Sequence, residues 1–258
     1  MTLLSLYQRY QLNFASRPVS GRMMPYDWEP LPKRLDARWL AYSQMLSEFS
    51  RELANVINDL TSYVPRLEAW SDVVRSLSND EKLTACREFI DPVAIVAVGL
   101  PYAIKARFVF AIAHLCHQAN SARQGKGWQD NLPLDSDIKM NVAETLGGDW
   151  PTFKRLKNRL DKINGKTFRE ATHDFRNAYN HRLSPRFVIG MTQMVTRHVD
   201  PKTKSVSYEF GGIEALDLAE VSTLLAAQRD KCYGAFDAFQ TLVQEQVTVI
   251  TSNSTMAN

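Results

Sequence analysis

Five side chains within nine residues have the chemistry to act on a phosphate ester. Residues 176–181 read Arg-Asn-Ala-Tyr-Asn-His, and His173 lies three positions before them. An imidazole titrates close to neutral pH and transfers protons there. A guanidinium is permanently charged, and its planar fork fits a phosphate. These residue types therefore indicate acid–base chemistry at a site that binds an anion.

A helix is predicted over residues 167–183, and it sorts these side chains onto one face. At about 100° per residue, Phe168, Ala171, Phe175, Ala178 and Tyr179 form a narrow apolar stripe, and His173, Arg176, Asn177, Asn180 and His181 lie on the other side. A polar face that only meets water is the alternative. Such a face more typically carries Glu, Lys or Gln, and Asn is a poor helix former.

The same part of the chain is strongly basic. The overall formal charge is +3, but residues 151–187 hold ten basic and three acidic side chains, a net charge of +7, which leaves −4 for the rest. The ten are Lys154, Arg155, Lys157, Arg159, Lys162, Lys166, Arg169, Arg176, Arg182 and Arg186. A basic stretch on an otherwise slightly acidic chain favours a polyanionic partner. Two solvated helix faces rich in Lys and Arg would give the same composition.

An arginine, four residues and a histidine, with a polar residue directly after the arginine, resemble the signature of the HEPN superfamily. Arg176, Asn177 and His181 match its four-residue version. The comparable part of the chain runs from about residue 33 to 246. The resemblance implies an all-helical domain acting as a metal-independent endoribonuclease and a homodimer. Such proteins are commonly toxins or antiviral defence effectors, many of them with a cognate antitoxin or defence partner protein.

The resemblance and the residue chemistry together assign roles. RNA carries its own nucleophile, the 2′-hydroxyl, so the expected reaction needs no metal and no cofactor. We expect Arg176, His181 and Asn177 to be catalytic: His181 transfers the proton, Arg176 stabilises the phosphate charge, and Asn177 orients the imidazole or binds a phosphate oxygen. The residues expected to contact the RNA substrate are His173, Asn180, Arg182, Lys166 and Arg169.

On the predicted helix, Arg176 and His181 point in different directions. Arg176 and His181 lie about 140° apart on it, so they converge if the arginine wraps around, if the helix loosens near Pro185, or if each acts with the partner chain. One chain supplies one such histidine, and a dimer would supply two. A non-catalytic HEPN-like module that binds RNA, nucleotides or a protein is the second interpretation. A helical interaction protein with a solvated polar face is the third.

The remaining pattern predicts a mainly α fold, a helical bundle with a late β-hairpin insertion at about 187–210. Helices are expected at 33–60, 65–77, 79–90, 92–120 (one or a pair), 135–146, 150–164, 167–183 and 217–246. The predicted organisation is an irregular N-terminal arm over 1–32, because prolines break it, a single domain over 33–246, and a flexible tail over 247–258. The aromatic residues of the arm suggest that it packs on the domain.

Composition narrows the class of protein and its compartment. The chain has 258 residues, 45% hydrophobic and 23% charged, with 11 Gly and 11 Pro, which excludes wholesale disorder and collagen-like sequence. Three cysteines, an odd number without metal-like spacing, favour a reducing compartment. No signal peptide is recognised at the N-terminus, and charges interrupt the apolar run at 91–116. We expect a cytoplasmic protein without a membrane partner.

Structural roles are favoured for the other candidate site residues. His114 and His117 lack nearby acidic residues and a second ligand pair, so core histidines are favoured over a metal site. Trp128 and Trp150 have the shape to stack on a base, but packing is the simpler role for them.

Overall fold

The computed structural model describes residues 2–18, 20–32 and 36–255. It is mainly helical, with a small β-hairpin late in the chain, as the sequence predicted.

The N-terminal segment is helical at its start. Helix α1 covers Leu3–Ala15 and is capped by the Thr2 side chain, which accepts a hydrogen bond from the Ser5 backbone N–H. The expectation of an irregular arm throughout 1–32 was wrong here, because the helix-breaking prolines begin only at residue 18. The rest of the arm is irregular and packs, as expected: the Trp28 ring meets Phe236 and Phe239 edge-on.

Helix α2 joins two predicted helices. It follows a 3-10 turn at Ala37–Trp39 and covers Leu40–Val74, with Pro65 inside. The predicted start of this helix at residues 33–35 lies outside the described residues. A proline lacks its N–H and usually interrupts a helix. Burial of the long apolar face on both sides of Pro65 outweighs that cost.

The next helical stretch is continuous. Helix α3, Asn79–Ala85, starts at a capping box of Ser78 and Glu81. A π-helical turn at Cys86–Ile90 leads into α4, Asp91–Gln124. The apolar segment is therefore one helix and not a hairpin, although Pro101 lies inside it. The stretch Asn79–Gly127 is long and apolar enough to cross a membrane, and half of its most apolar window is buried within the fold.

Four short helices follow, and the last two carry the candidate site. They are α5, Met140–Gly147; α6, Phe153–Leu160; α7, Lys166–Ala171; and α8, Phe175–His181.

The strands form two antiparallel pairs, and the inner pair confirms the predicted hairpin. β1, Met191–Thr192, pairs with β4, Ile213–Glu214. β2, Val195–Val199, pairs with β3, Val206–Phe210, around the predicted turn at 200–204.

Helix α9 covers Leu218–Thr255 and extends past the predicted end at 246. Val247 and Ile250 are buried and continue the apolar spacing that includes Val243. The segment 247–255 is therefore helical where a flexible tail was expected, and residues 256–258 lie outside the described part of the chain.

The chain divides into two compact units, where the sequence predicted a single domain over 33–246. The first unit contains the residues up to Ser20, Leu60–Gly99 and Gly165–Ala227. The second contains Gly21–Asp59, Leu100–Asn164 and the residues from Gln228 onward.

Each unit has its own aromatic core. In the first, Trp70 stacks on Tyr10 and Phe89, with ring centroids 4.7 and 5.2 Å apart. In the second, the Phe108 and Phe239 rings meet edge-on, with centroids 5.8 Å apart, and the buried Tyr42 hydroxyl donates a hydrogen bond to Gln246.

Candidate functional site

The helix predicted over 167–183 is broken in its middle. Helix α7 ends at Ala171 and α8 begins at Phe175. His173 and Asp174 both have left-handed backbones, with φ of 50° and 48°. Since His and Asp tolerate this region better than most residues, the break is local, and it removes His173 from the helix that carries the motif. The prediction that His173 shares one helical face with Arg176 and His181 was therefore wrong.

Side-chain hydrogen bonds lie on both sides of this break. The Thr172 hydroxyl donates to the carbonyl of Phe168, at 2.9 Å, and closes α7. Asn177 donates from Nδ2 to the Asp174 carboxylate, at 3.0 Å. Asn177 was expected to orient His181 or to bind phosphate. In the structure this side chain holds the first turn of α8, and Asp174 is a site residue that the sequence did not indicate.

Helix α8 carries four of the predicted site residues. Arg176 and Asn177 are half-buried, whereas Asn180 and His181 are exposed. Helix geometry places the Cα atoms of Arg176 and His181 about 9 Å apart. The His181 side chain makes no hydrogen bond or ion pair within the described ranges, which leaves its ring nitrogens accessible to a ligand.

The helix ends earlier than predicted. His181 is its last residue, and Arg182 is extended, with φ −146° and ψ −150°. The predicted continuation to Leu183 does not form. The imidazole therefore stands at the C-terminal end of α8.

The apolar side of α8 faces the core for part of its width. Phe175 and Ala178 are buried, and the Phe175 ring contacts that of Phe187 at 4.9 Å. Tyr179, predicted on the apolar stripe, is 52% exposed. Its ring stacks on Phe175 at 5.8 Å, so it borders the candidate site.

The other predicted RNA contacts surround α8 within the first unit. Lys166 and Arg169 are exposed on α7, and Arg182 is exposed directly after α8. Lys166 has an acidic neighbour one turn away, Glu170, at 3.5 Å. At such exposed positions an ion pair contributes little, so the lysine remains able to exchange this partner for a phosphate.

The basic stretch at residues 151–187 is divided between the two units. Residues 151–164 are in the second unit and residues 165–187 in the first. Within the second unit, Lys157 is held between Glu144 and Asp161, at 3.3 and 3.0 Å. Lys166, Arg169, Arg182 and Arg186 are in the same unit as the motif.

The histidines of α4 have structural partners in the second unit. His117 is buried and lies 2.8 Å from the Asp130 carboxylate, and His114 lies 3.3 Å from that of Asp135. The expectation that acidic groups are absent here was wrong, because the acids come from the following loop. Among the described residues, no group of three or more His, Cys, Asp or Glu side chains has the arrangement to hold a metal ion.

The two tryptophans considered for base stacking are engaged in packing. The Trp128 indole donates to the carbonyl of His117, at 3.0 Å. The Trp150 indole is buried and donates to Asn120, at 2.9 Å. Trp150 is thus inaccessible to a base.

Comparison of the chain with protein-family models, with curated proteins and with solved structures finds no match.

Proposed function

We propose that the protein is a HEPN-like endoribonuclease, with Arg176 and His181 at the reacting phosphate. One observation carries the proposal: an arginine and a ligand-accessible histidine share one short helix and are separated by about 9 Å at Cα. The break before Phe175 and the extended residue after His181 bound that helix tightly. The resemblance of residues 176–181 to the family signature supports the same assignment.

The proposed reaction balances with groups of the RNA and of this chain. The 2′-oxygen loses its proton to a base and attacks the adjacent phosphorus, while the bond from phosphorus to the 5′-oxygen breaks and that oxygen gains a proton. The products are a 2′,3′-cyclic phosphate and a 5′-hydroxyl end. His181 serves as the base or the acid, and Arg176 stabilises the negative charge that gathers on the non-bridging oxygens.

The proposed enzyme acts as a homodimer. In-line attack benefits from both a base and an acid, and each chain offers one His181. Two copies of α8 across a cleft would provide both groups and would also remedy the 140° separation of Arg176 and His181 within one chain. An antitoxin or defence partner protein would cover the same face.

The test is cleavage of RNA by the purified protein in the presence of EDTA. We expect products with 2′,3′-cyclic phosphate ends, and a loss of about 10²–10⁴-fold in His181→Ala and about 10²–10³-fold in Arg176→Ala. His198→Ala is the matched control, because it removes an exposed imidazole from the hairpin, where it pairs with Glu209. Equal cleavage by wild type and both motif variants would refute the proposal.

A non-catalytic RNA-binding module is the second candidate, and one contact favours it. Asn177, the polar residue of the signature, donates a hydrogen bond to Asp174, and no hydrogen bond joins it to His181 among the described residues. This alternative predicts that wild type and His181→Ala bind RNA equally and that neither cleaves it.

A further inference from the structure

The β2–β3 hairpin has two chemically different faces. Side chains alternate across a strand, and the register pairs Val195 with Phe210, Arg197 with Tyr208, and Val199 with Val206. We call these six residues the aromatic face. The opposite face carries Thr196, His198, Ser207 and Glu209, with His198 and Glu209 paired at 2.8 Å.

The aromatic face is uncovered by the rest of the described chain. Phe210 is 80% exposed and Tyr208 is 61% exposed. Val195, Val199 and Val206 are exposed as well. Two aromatic rings two residues apart on one strand are separated by about 7 Å along it. Two exposed aromatic rings at this spacing can stack on successive bases of a single-stranded nucleic acid.

The charges around this face favour an anion. Arg197, directly opposite Tyr208, is the one charged residue among the six. Lys202 and Lys204 lie in the adjoining turn. Both acidic groups of the hairpin are engaged elsewhere: Glu209 is on the opposite face, and the Asp200 carboxylate accepts hydrogen bonds from the turn backbone at Thr203 and Lys202, which lowers the pKa of Asp200.

We propose that the aromatic face binds single-stranded RNA, with successive bases stacked on Tyr208 and Phe210 and the backbone phosphates on Arg197 and the turn lysines. This inference rests on the proposed function for the identity of the nucleic acid. A second copy of the chain is a poorer occupant, because a symmetric contact through this face would bring two copies of Arg197 into one apolar interface.

The hairpin is anchored beside α8, within the same unit. Gln193, just before β2, donates from Nε2 to the carbonyl of Leu183, at 2.8 Å. Leu183 is two residues beyond His181, so the path from the His181 Cα through this hydrogen bond to the Phe210 Cα spans roughly 30 Å at most. A single strand of a few nucleotides stacked on the hairpin therefore reaches the candidate catalytic helix.

The test measures affinity for a 12-nucleotide fluorescein-labelled single-stranded RNA by anisotropy. The protein carries His181→Ala, so that the probe stays intact. We expect Tyr208→Ala and Phe210→Ala each to weaken binding by about five- to 150-fold, and Tyr208→Phe to keep the affinity, because it keeps the ring. Arg197→Ala should reduce the salt dependence by about one phosphate contact. Thr196→Ala and Ser207→Ala, on the opposite face of the same strands, should bind as the parent does.

The outcomes separate this inference from the nuclease proposal. Unchanged RNA affinity in both aromatic variants overturns RNA binding by the aromatic face, whereas cleavage that depends on His181 would still support the nuclease. RNA affinity that depends on both rings, in a wild-type protein that cleaves no RNA, supports RNA binding by the aromatic face and overturns the nuclease. If the aromatic variants change the mass measured by light scattering but not the RNA affinity, the aromatic face binds a second copy of the chain and the inference is overturned.

Discussion

The hydrogen bond between Asn177 and Asp174 distinguishes a structural from a catalytic role for the second residue of the motif. The bond is 3.0 Å long, partly buried, and holds the first turn of α8. A bond of this kind contributes about 1–1.5 kcal/mol to stability. Asn177→Ala loses it but gains about 0.5 kcal/mol of helix propensity. The variant should therefore be less stable than wild type by about 0.5–1 kcal/mol.

Asn180→Ala is the matched control on the same helix. Asn180 is exposed and makes no side-chain hydrogen bond within residues 2–18, 20–32 and 36–255, so its replacement should stabilise by up to about 0.5 kcal/mol. The two alanine variants should thus differ by about 1–1.5 kcal/mol. For a chain of this size that is a difference of about 2–6 °C in Tm, measured by thermal unfolding followed by circular dichroism.

A double-mutant cycle with Asp174→Gly isolates the bond itself. Glycine adopts the left-handed backbone of residue 174 without strain, and this backbone contribution appears in both arms of the cycle and cancels. We expect a coupling free energy of about 1 kcal/mol. Asn177→Ala and Asn180→Ala with equal Tm and zero coupling would refute the structural role. A loss of RNA cleavage in Asn177→Ala at unchanged Tm would instead assign Asn177 to catalysis.

Two further predictions concern ionisable groups in or near the cores. Burial raises the pKa of Asp91, against the opposing effect of Arg186. The contribution of Asp91 to the free energy of unfolding is therefore favourable below the unfolded pKa and is lost as pH rises through the folded pKa. The Tm of Asp91→Asn should rise relative to that of wild type between pH 3 and 7, and a Tm difference that stays constant over this range would contradict the prediction. Burial also raises the pKa of the Cys86 and Cys232 thiols to about 12 and that of Cys116 further still. At pH 8 a fraction of about 10⁻⁴ of the Cys86 and Cys232 thiols is ionised. The native protein should therefore resist a thiol reagent that labels all three cysteines after denaturation. Rapid labelling of one thiol in the native protein would contradict the burial of that cysteine.

The sequence by itself determined most of the helical segments and the place of the hairpin, although it did not indicate α1 or the helical end of α9. The apolar spacing of α2 and α9 follows from residues that must share a buried face. The turn at 200–204 set the register of β2 and β3, because Asp200 closes it through local hydrogen bonds. Local chemistry of this kind is readable from neighbouring residues. The grouping of Arg176, Asn177, Asn180 and His181 on one helix was predictable for the same reason.

Tertiary structure alone decided what the motif side chains contact. Thr172, His173 and Asp174 are compatible with a continuous helix, but the chain breaks there while Phe168 and Phe175, on either side, are both buried. That break gave Asn177 its partner. Packing likewise left Tyr179 and the aromatic face uncovered and divided the basic stretch between two units. These outcomes depend on residues distant in the chain, whose contacts no local spacing specifies.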